Sequence, residues 1–307
     1  MNVLDWLLAG DDVLKRLTKR HLLEEDCARE DVGFIRRYLE TFDHKRGLFG
    51  GGLYGPKWIS TTYTVLELVD MEADPHSVVF QKAVESLRSR LWPGRLEDGV
   101  YHIDMCIAGM LLKVLCYAEV KTETVAEIID YILAFTMDDG GWNCRLEGGV
   151  IPRCSSVHTT INVLEGLLAY AESPWTHKKS ACLQALEDGA NVLLDRHLHL
   201  RKGTDDPIHP AMTKAHYPPR WKYDYLRALE WFAKKGHPHD DRMNPALDLL
   251  RRQIRHGRML RGTSIPGKRR FPLETERNGR FNTLRALNVL KTYDRDTYES
   301  TLRIQLR

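Results

Sequence analysis

Five stretches of the chain are apolar almost all the way round a helix, and the stretches between them carry apolar residues only at every third or fourth position. The first kind covers 60–71, 104–118, 157–171, 223–234 and 281–293, with runs such as CIAGMLLKVLCYA and TINVLEGLLAYA, and predicts helices buried on most sides. The second kind covers 78–91, 125–135, 179–197 and 241–256 and predicts amphipathic helices with one face in water. A short pair, 1–9 and 12–23, precedes them. No period-two run is long enough to argue for a sheet.

The buried segments are copies of one another. Ser60-Thr61-Thr62-Tyr63-Thr64-Val65-Leu66-Glu67 returns as His158-Thr159-Thr160-Ile161-Asn162-Val163-Leu164-Glu165. The leading positions Ser60, Cys106, His158, Tyr223 and Phe281 are 46, 52, 65 and 58 residues apart. Glycine-rich connectors precede most of them, such as GLFGGGLYGPKW at 47–58 and DDGGWNCRLEGGVIPRC at 138–154, and supply the tight turns that helix pairs need. Alternating buried and amphipathic helices imply stacked α-hairpins in one all-α domain over 1–307, with 1–28 an N-terminal hairpin and 29–307 the repeated pairs. An open solenoid and a closed ring both satisfy the pattern.

Charge narrows the partners. Lys+Arg 45 against Asp+Glu 42 gives +3, without a long block of one sign, so nothing calls for nucleic acid. The arginine-rich stretch 251–270 lacks the interleaved aromatic residues that stack bases. No window reaches the roughly 18 apolar residues of a membrane span, and 1–5 lacks a basic leader, so a cytoplasmic protein is expected. In that setting the six cysteines read as free thiols or metal ligands.

Metal-ligand chemistry gathers at matching places in the repeat. Residues two apart on a helix point about 200° away from each other, so Asp104 and Cys106 share a ligand only if Asp104 precedes the helix and Cys106 lies in its first turn. His158 leads the next buried helix at the level of Cys106, and Cys144 lies in the loop before it. Carboxylate, thiolate and imidazole are the donors a tetrahedral zinc accepts. The same residues also read as an N-cap, a small buried thiol and a helix-terminal donor, with Cys144 a loop thiol.

The run DMCIAGMLL at 104–112, followed by GGWNCRLEGGVIPRCSSVHTTINVLEGL at 140–167, resembles the protein prenyltransferase β-subunits. There one buried helix begins Asp-x-Cys and the next begins Tyr-His-Thr after a Gly-Gly loop. The Gly-Gly-Trp turn is similar to the repeat motif of the squalene and oxidosqualene cyclases. The resemblance runs over about 30–295 and is most specific at 100–170, and its nearest kin look like a bacterial group of stand-alone prenyltransferase-like or squalene-cyclase-like proteins. It implies an (α/α)6 toroid of inner and outer helices around an apolar cavity, with zinc held by Asp104, Cys106 and His158. The chain departs from the family where cations grip a diphosphate, since those positions are Asp98 and Tyr101, and Ile107 replaces a tyrosine. No obligate α-subunit is implied. The Asp-x-Asp-Asp acid of cyclases is absent as well.

Register adds candidates at the same end of such a cavity. Tyr223 and Asp224 are catalytic candidates, Asp224 as a general base, a partner holding His158, or an N-cap. Trp58, Ser60, Trp142, Arg153, Trp221 and Asn282 are candidates for substrate contact, and the tryptophans equally suit packing between hairpins. The leading expectation is a zinc-dependent enzyme acting on a small apolar or isoprenoid-like substrate through a thiol, water or oxygen function. With Asp104 and Cys106 ionised and His158 neutral such a zinc site is formally neutral. The alternatives are a ligand- or peptide-binding toroid with structural zinc, Cys144 completing four ligands, and an atypical terpene cyclase using Asp139 or Asp224.

Overall fold

A computed structural model describes residues 1–92, 103–120, 122–144, 152–262 and 265–306. Among them helices are the predominant regular structure, and the one sheet is a two-stranded hairpin. The backbone divides into two compact units, Tyr38–Leu193 and the combination of Met1–Arg37 with Leu194–Arg307. The repeats led by Ser60, Cys106 and His158 fall in the first, and those led by Tyr223 and Phe281 in the second.

In the unit Tyr38–Leu193, strands β1 (Phe42–Asp43) and β2 (Leu48–Phe49) form the hairpin, with Phe42 opposite Phe49. The turn forms because the Asp43 carboxylate accepts from the amides of Lys45 and Arg46 at 3.0 and 3.1 Å and Gly47 takes φ +69°. Six helices follow: α4 (Thr61–Asp70), α5 (Val78–Arg90), α6 (Met105–Tyr117), α7 (Glu123–Ala134), α8 (Val157–Glu172) and α9 (Lys179–Leu194). Here α4, α6 and α8 are the buried members, and α5 and α7 expose their polar faces. Lys113 on α6 reaches Asp70 on α4 at 2.7 Å and Glu165 on α8 at 3.0 Å, so α6 lies between them.

The contact of α6 with α8 is made of backbone. A Cβ on Gly109 would sit 2.6 Å from the Asn162 carbonyl oxygen and 2.7 Å from the Val163 Cα, and one on Gly166 would sit 2.4 Å from the Gly109 oxygen. Only glycine allows that approach, and it brings the first turns of α6 and α8 side by side. Trp142 supplies the second anchor: it is fully buried, its indole donates to the Ile132 carbonyl at 2.9 Å, and Gly189 on α9 leaves room for its ring. A threonine hydroxyl near the start of a buried helix accepts from the amide of Phe49, Trp142 or Met259, through Thr61, Thr160 and Thr283 respectively. The repeat is thus physical as well as sequential, although Thr61 stands one place off the register of the aligned sequences.

In the other unit lie α1 (Val3–Leu8), α2 (Asp12–His21), most of α3 (Gly33–Leu39), α10 (Tyr225–Lys234), α11 (Asn244–Ile254), α12 (Arg280–Tyr293) and α13 (Arg295–Leu302), with two short 3-10 turns. The periodicity does not single out α3 or α13. Asp11 starts both α2 and α3, accepting from Val13 at 3.0 Å and Phe34 at 3.1 Å, while Gly33 at φ +48° lets that carboxylate come close. Asp294 starts α13 by accepting from Thr297 at 3.1 Å.

Candidate metal centre

Asp104 is the N-cap residue of α6, in extended conformation (φ −61°, ψ 136°), yet its side chain makes no capping hydrogen bond. The contrast with Thr122, Asp224 and Asp294, which all cap their helices, is informative. Instead the Asp104 carboxylate meets the sulfurs of Cys106 and Cys144, and the three ligand atoms all lie within 4.8 Å of one another. Cys106 is the second residue of α6 and buried; Cys144 is half-buried. The condition that lets residues two apart share a ligand is met, because one precedes the helix and the other lies in its first turn.

Cys144 is held by the turn around Trp142. Its amide donates to the Asn143 carbonyl oxygen of the side chain at 2.9 Å, the Asn143 amide nitrogen donates to the Cys154 carbonyl at 2.9 Å, and its sulfur stands 3.5 Å from the Thr159 hydroxyl. Asp139 fastens the same turn by accepting from the Ser155 amide and hydroxyl at 3.0 and 2.8 Å. Interaction between the two thiols is the main cause that pushes the Cys106 thiol up and, aided by Thr159, holds Cys144 below the ordinary thiol range. Burial pushes Cys106 up further, and the Asp104 charge opposes ionisation of both.

Ligand atoms on a tetrahedral zinc are about 3.3–3.8 Å apart, given metal–ligand bonds of about 2.0–2.3 Å. The three atoms here need only small side-chain shifts to meet that set, and two thiolates with one carboxylate suit zinc by type. His158 is the second residue of α8, as Cys106 is of α6, but its ring nitrogens lie outside the group. Its carbonyl accepts from the Asn162 side chain at 2.6 Å.

An aromatic cluster stands beside the sulfurs. The Tyr54 phenol is pushed up to about 12, by burial first and then by the charges of Cys106, Asp104 and Cys144. Its ring lies 5.3 Å from that of Tyr63, which meets Trp58 at 4.7 Å. Ser60 is buried and donates to the Tyr54 carbonyl at 2.8 Å, fixing the loop that carries this tyrosine. Neither Tyr54 nor Tyr63 stood out in the sequence; the signal was the run of glycines and aromatic residues before α4.

The remaining candidates are placed as follows. Trp142 is a core residue, and Trp58 is buried against Tyr63. Arg153 is exposed. Trp221, Tyr223, Asp224 and Asn282 belong to the other unit. There Asp224 accepts from the amides of Arg227 at 2.9 Å and His216 at 3.2 Å, so its carboxylate starts α10. Tyr223 is buried and donates to the Leu198 carbonyl. Asn282 donates to the carbonyls of Ala215 and Leu260 and accepts from Arg285. Trp221 is half-buried. Asp98 and Tyr101 lie outside the described residues.

No protein-family model matches the chain, and no curated protein sequence matches it. The functional reading therefore stands on the chemistry of the site.

Proposed function

We propose that the chain is a zinc-dependent enzyme of the α/α-toroid kind, acting on a small apolar or isoprenoid-like substrate. The observation that carries this reading is the convergence of Asp104, Cys106 and Cys144, with a carboxylate drawn away from its capping role. Three protein donors leave one position of a tetrahedral zinc for a substrate thiol, a water or an oxygen function, which is the arrangement of a catalytic site. Bound zinc supplies Lewis acidity, lowering the pKa of a group that binds in the open position. The protein's own part is to hold the donors: the Gly109 approach fixes α6, the buried Trp142 fixes the Cys144 loop, and half-buried Tyr54, packed on Tyr63, lies close enough to feel their charge. Two thiolates and a carboxylate outweigh the charge of Zn²⁺ by one, so this donor set favours a neutral or cationic incoming group over an anion.

The second reading is a binding protein with structural zinc, in which His158 closes the fourth position. Its place on α8, matching that of Cys106 on α6, favours it. The terpene-cyclase reading draws no support from Asp139 or Asp224, whose carboxylates both accept backbone hydrogen bonds. Metal content of the purified chain separates the readings. Stoichiometric zinc that disappears in Cys106→Ala and in Cys144→Ala but persists in His158→Ala supports the open, catalytic site. Loss in His158→Ala as well supports the closed one, and a parent free of metal after growth in zinc rejects both.

A further inference from the structure

We infer that Cys106 and Cys144 form a reversible disulfide under hydroperoxide, making this thiol pair a site of oxidative modification. Their sulfurs lie within 4.8 Å of each other, one on the first turn of a helix and the other on a loop. A disulfide requires about 2.05 Å between sulfurs, so the pair must close by less than about 3 Å. Helix α6 is fixed by backbone contact at Gly109, and Trp142 is locked two residues before Cys144. The adjustment therefore falls on Asn143 and Cys144.

The chemistry is a two-electron oxidation of two thiols. The Cys144 thiolate attacks the peroxide, takes one oxygen to become a sulfenic acid and releases an alcohol, or water from hydrogen peroxide. The Cys106 thiol then attacks that sulfur, forming the S–S bond and releasing water. Cys144 is the first to react because it is the more exposed of the two, half-buried on its loop where Cys106 is buried on the helix. A dithiol reductant reverses the product. The same sulfurs serve the zinc site proposed above, so bound metal slows the oxidation and oxidation expels the metal; the disulfide itself does not rest on that reading.

The molecule contains its own comparison. Cys116 lies near enough to Cys182 for that thiol's charge to oppose its ionisation, but both are buried and burial is the main cause that pushes both thiols up. That pair should stay reduced under the same treatment.

The test is intact mass and peptide mapping of the full chain, stripped of metal with a chelator and exposed to hydrogen peroxide. The expected product is lighter by two hydrogens, carries a Cys106–Cys144 linked peptide, returns to the parent mass with dithiothreitol, and is absent in Cys106→Ser. Oxygen adducts on Cys144 without the linked peptide, or linkage of Cys144 to exposed Cys154 instead, would overturn the inference. Repeating the exposure with zinc added keeps the two proposals apart. A linked peptide formed equally fast with and without zinc counts against the metal site and leaves the disulfide standing, whereas zinc binding without any linked peptide does the reverse.

Discussion

Gly109→Ala tests whether the close contact of α6 with α8 builds the site. The added methyl meets backbone atoms, the Asn162 carbonyl oxygen at 2.6 Å and the Val163 Cα at 2.7 Å, and so no flexible side chain can yield. Ordinary contact begins near 3.4 Å, so α6 must move away from α8 by several tenths of an ångström or more. Alanine is the better helix former by about 1 kcal/mol, which opposes the clash. Overpacking in a dense core costs about 1–3 kcal/mol, and here both Gly109 and Gly166 take part in the contact, placing the cost at the upper end. The net loss should be about 1–2 kcal/mol, or a fall in melting temperature of roughly 2–4 °C for each kcal/mol. Urea unfolding followed by circular dichroism reads it as a lower midpoint at unchanged slope. Because the displaced helix carries Asp104 and Cys106, zinc affinity should fall together with stability. A variant as stable as the parent would refute the backbone contact as the element that fixes α6.

Other perturbations probe separate links. Trp142→Phe keeps most of the ring but leaves the Ile132 carbonyl without its indole donor; thermal unfolding should report a loss of about 1–3 kcal/mol, and Cys144 should become easier to alkylate. Glu274 is pushed up to about 7 by burial against an ordinary value of 4.5, so the folded chain holds its proton over a pH range where the unfolded chain has lost it. Its contribution to stability is full below about 4.5 and declines as pH rises towards 7; Glu274→Gln should remove about 1–3 kcal/mol of that decline in urea titrations at pH 4.5 and 7.5. Asp224→Ala deletes a cap that accepts two backbone amides and should cost about 1–2 kcal/mol in chemical denaturation while leaving zinc content unchanged. Loss of zinc in that variant would return Asp224 to the metal.

The helices were legible because burial writes itself into sequence period. The expected segments 60–71, 104–118, 157–171 and 281–293 correspond to Thr61–Asp70, Met105–Tyr117, Val157–Glu172 and Arg280–Tyr293. What period does not encode is the work of single caps: α3 and α13 exist because Asp11 and Asp294 start them, and each is too short for a repeat of apolar positions to show. At the site, Asp104 and Cys106 were readable because helical geometry restricts how residues two apart can meet. The sequence put His158 ahead of Cys144 as the third donor, whereas the structure brings Cys144 to Asp104 and Cys106, since a loop cysteine's position depends on the burial of Trp142, a tertiary event. The same holds for Tyr54, whose nearness to the sulfurs follows from the packing of its loop against Tyr63.

The central claim, that two sulfurs and one carboxylate hold a metal, is tested most directly by cobalt(II) substitution followed by absorption spectroscopy. A site of two sulfurs and one carboxylate should give a tetrahedral spectrum with thiolate-to-cobalt charge-transfer intensity from two sulfurs, reduced by about half in Cys144→Ser and in Cys106→Ser. A weak octahedral spectrum without charge transfer, unchanged in either variant, would contradict it.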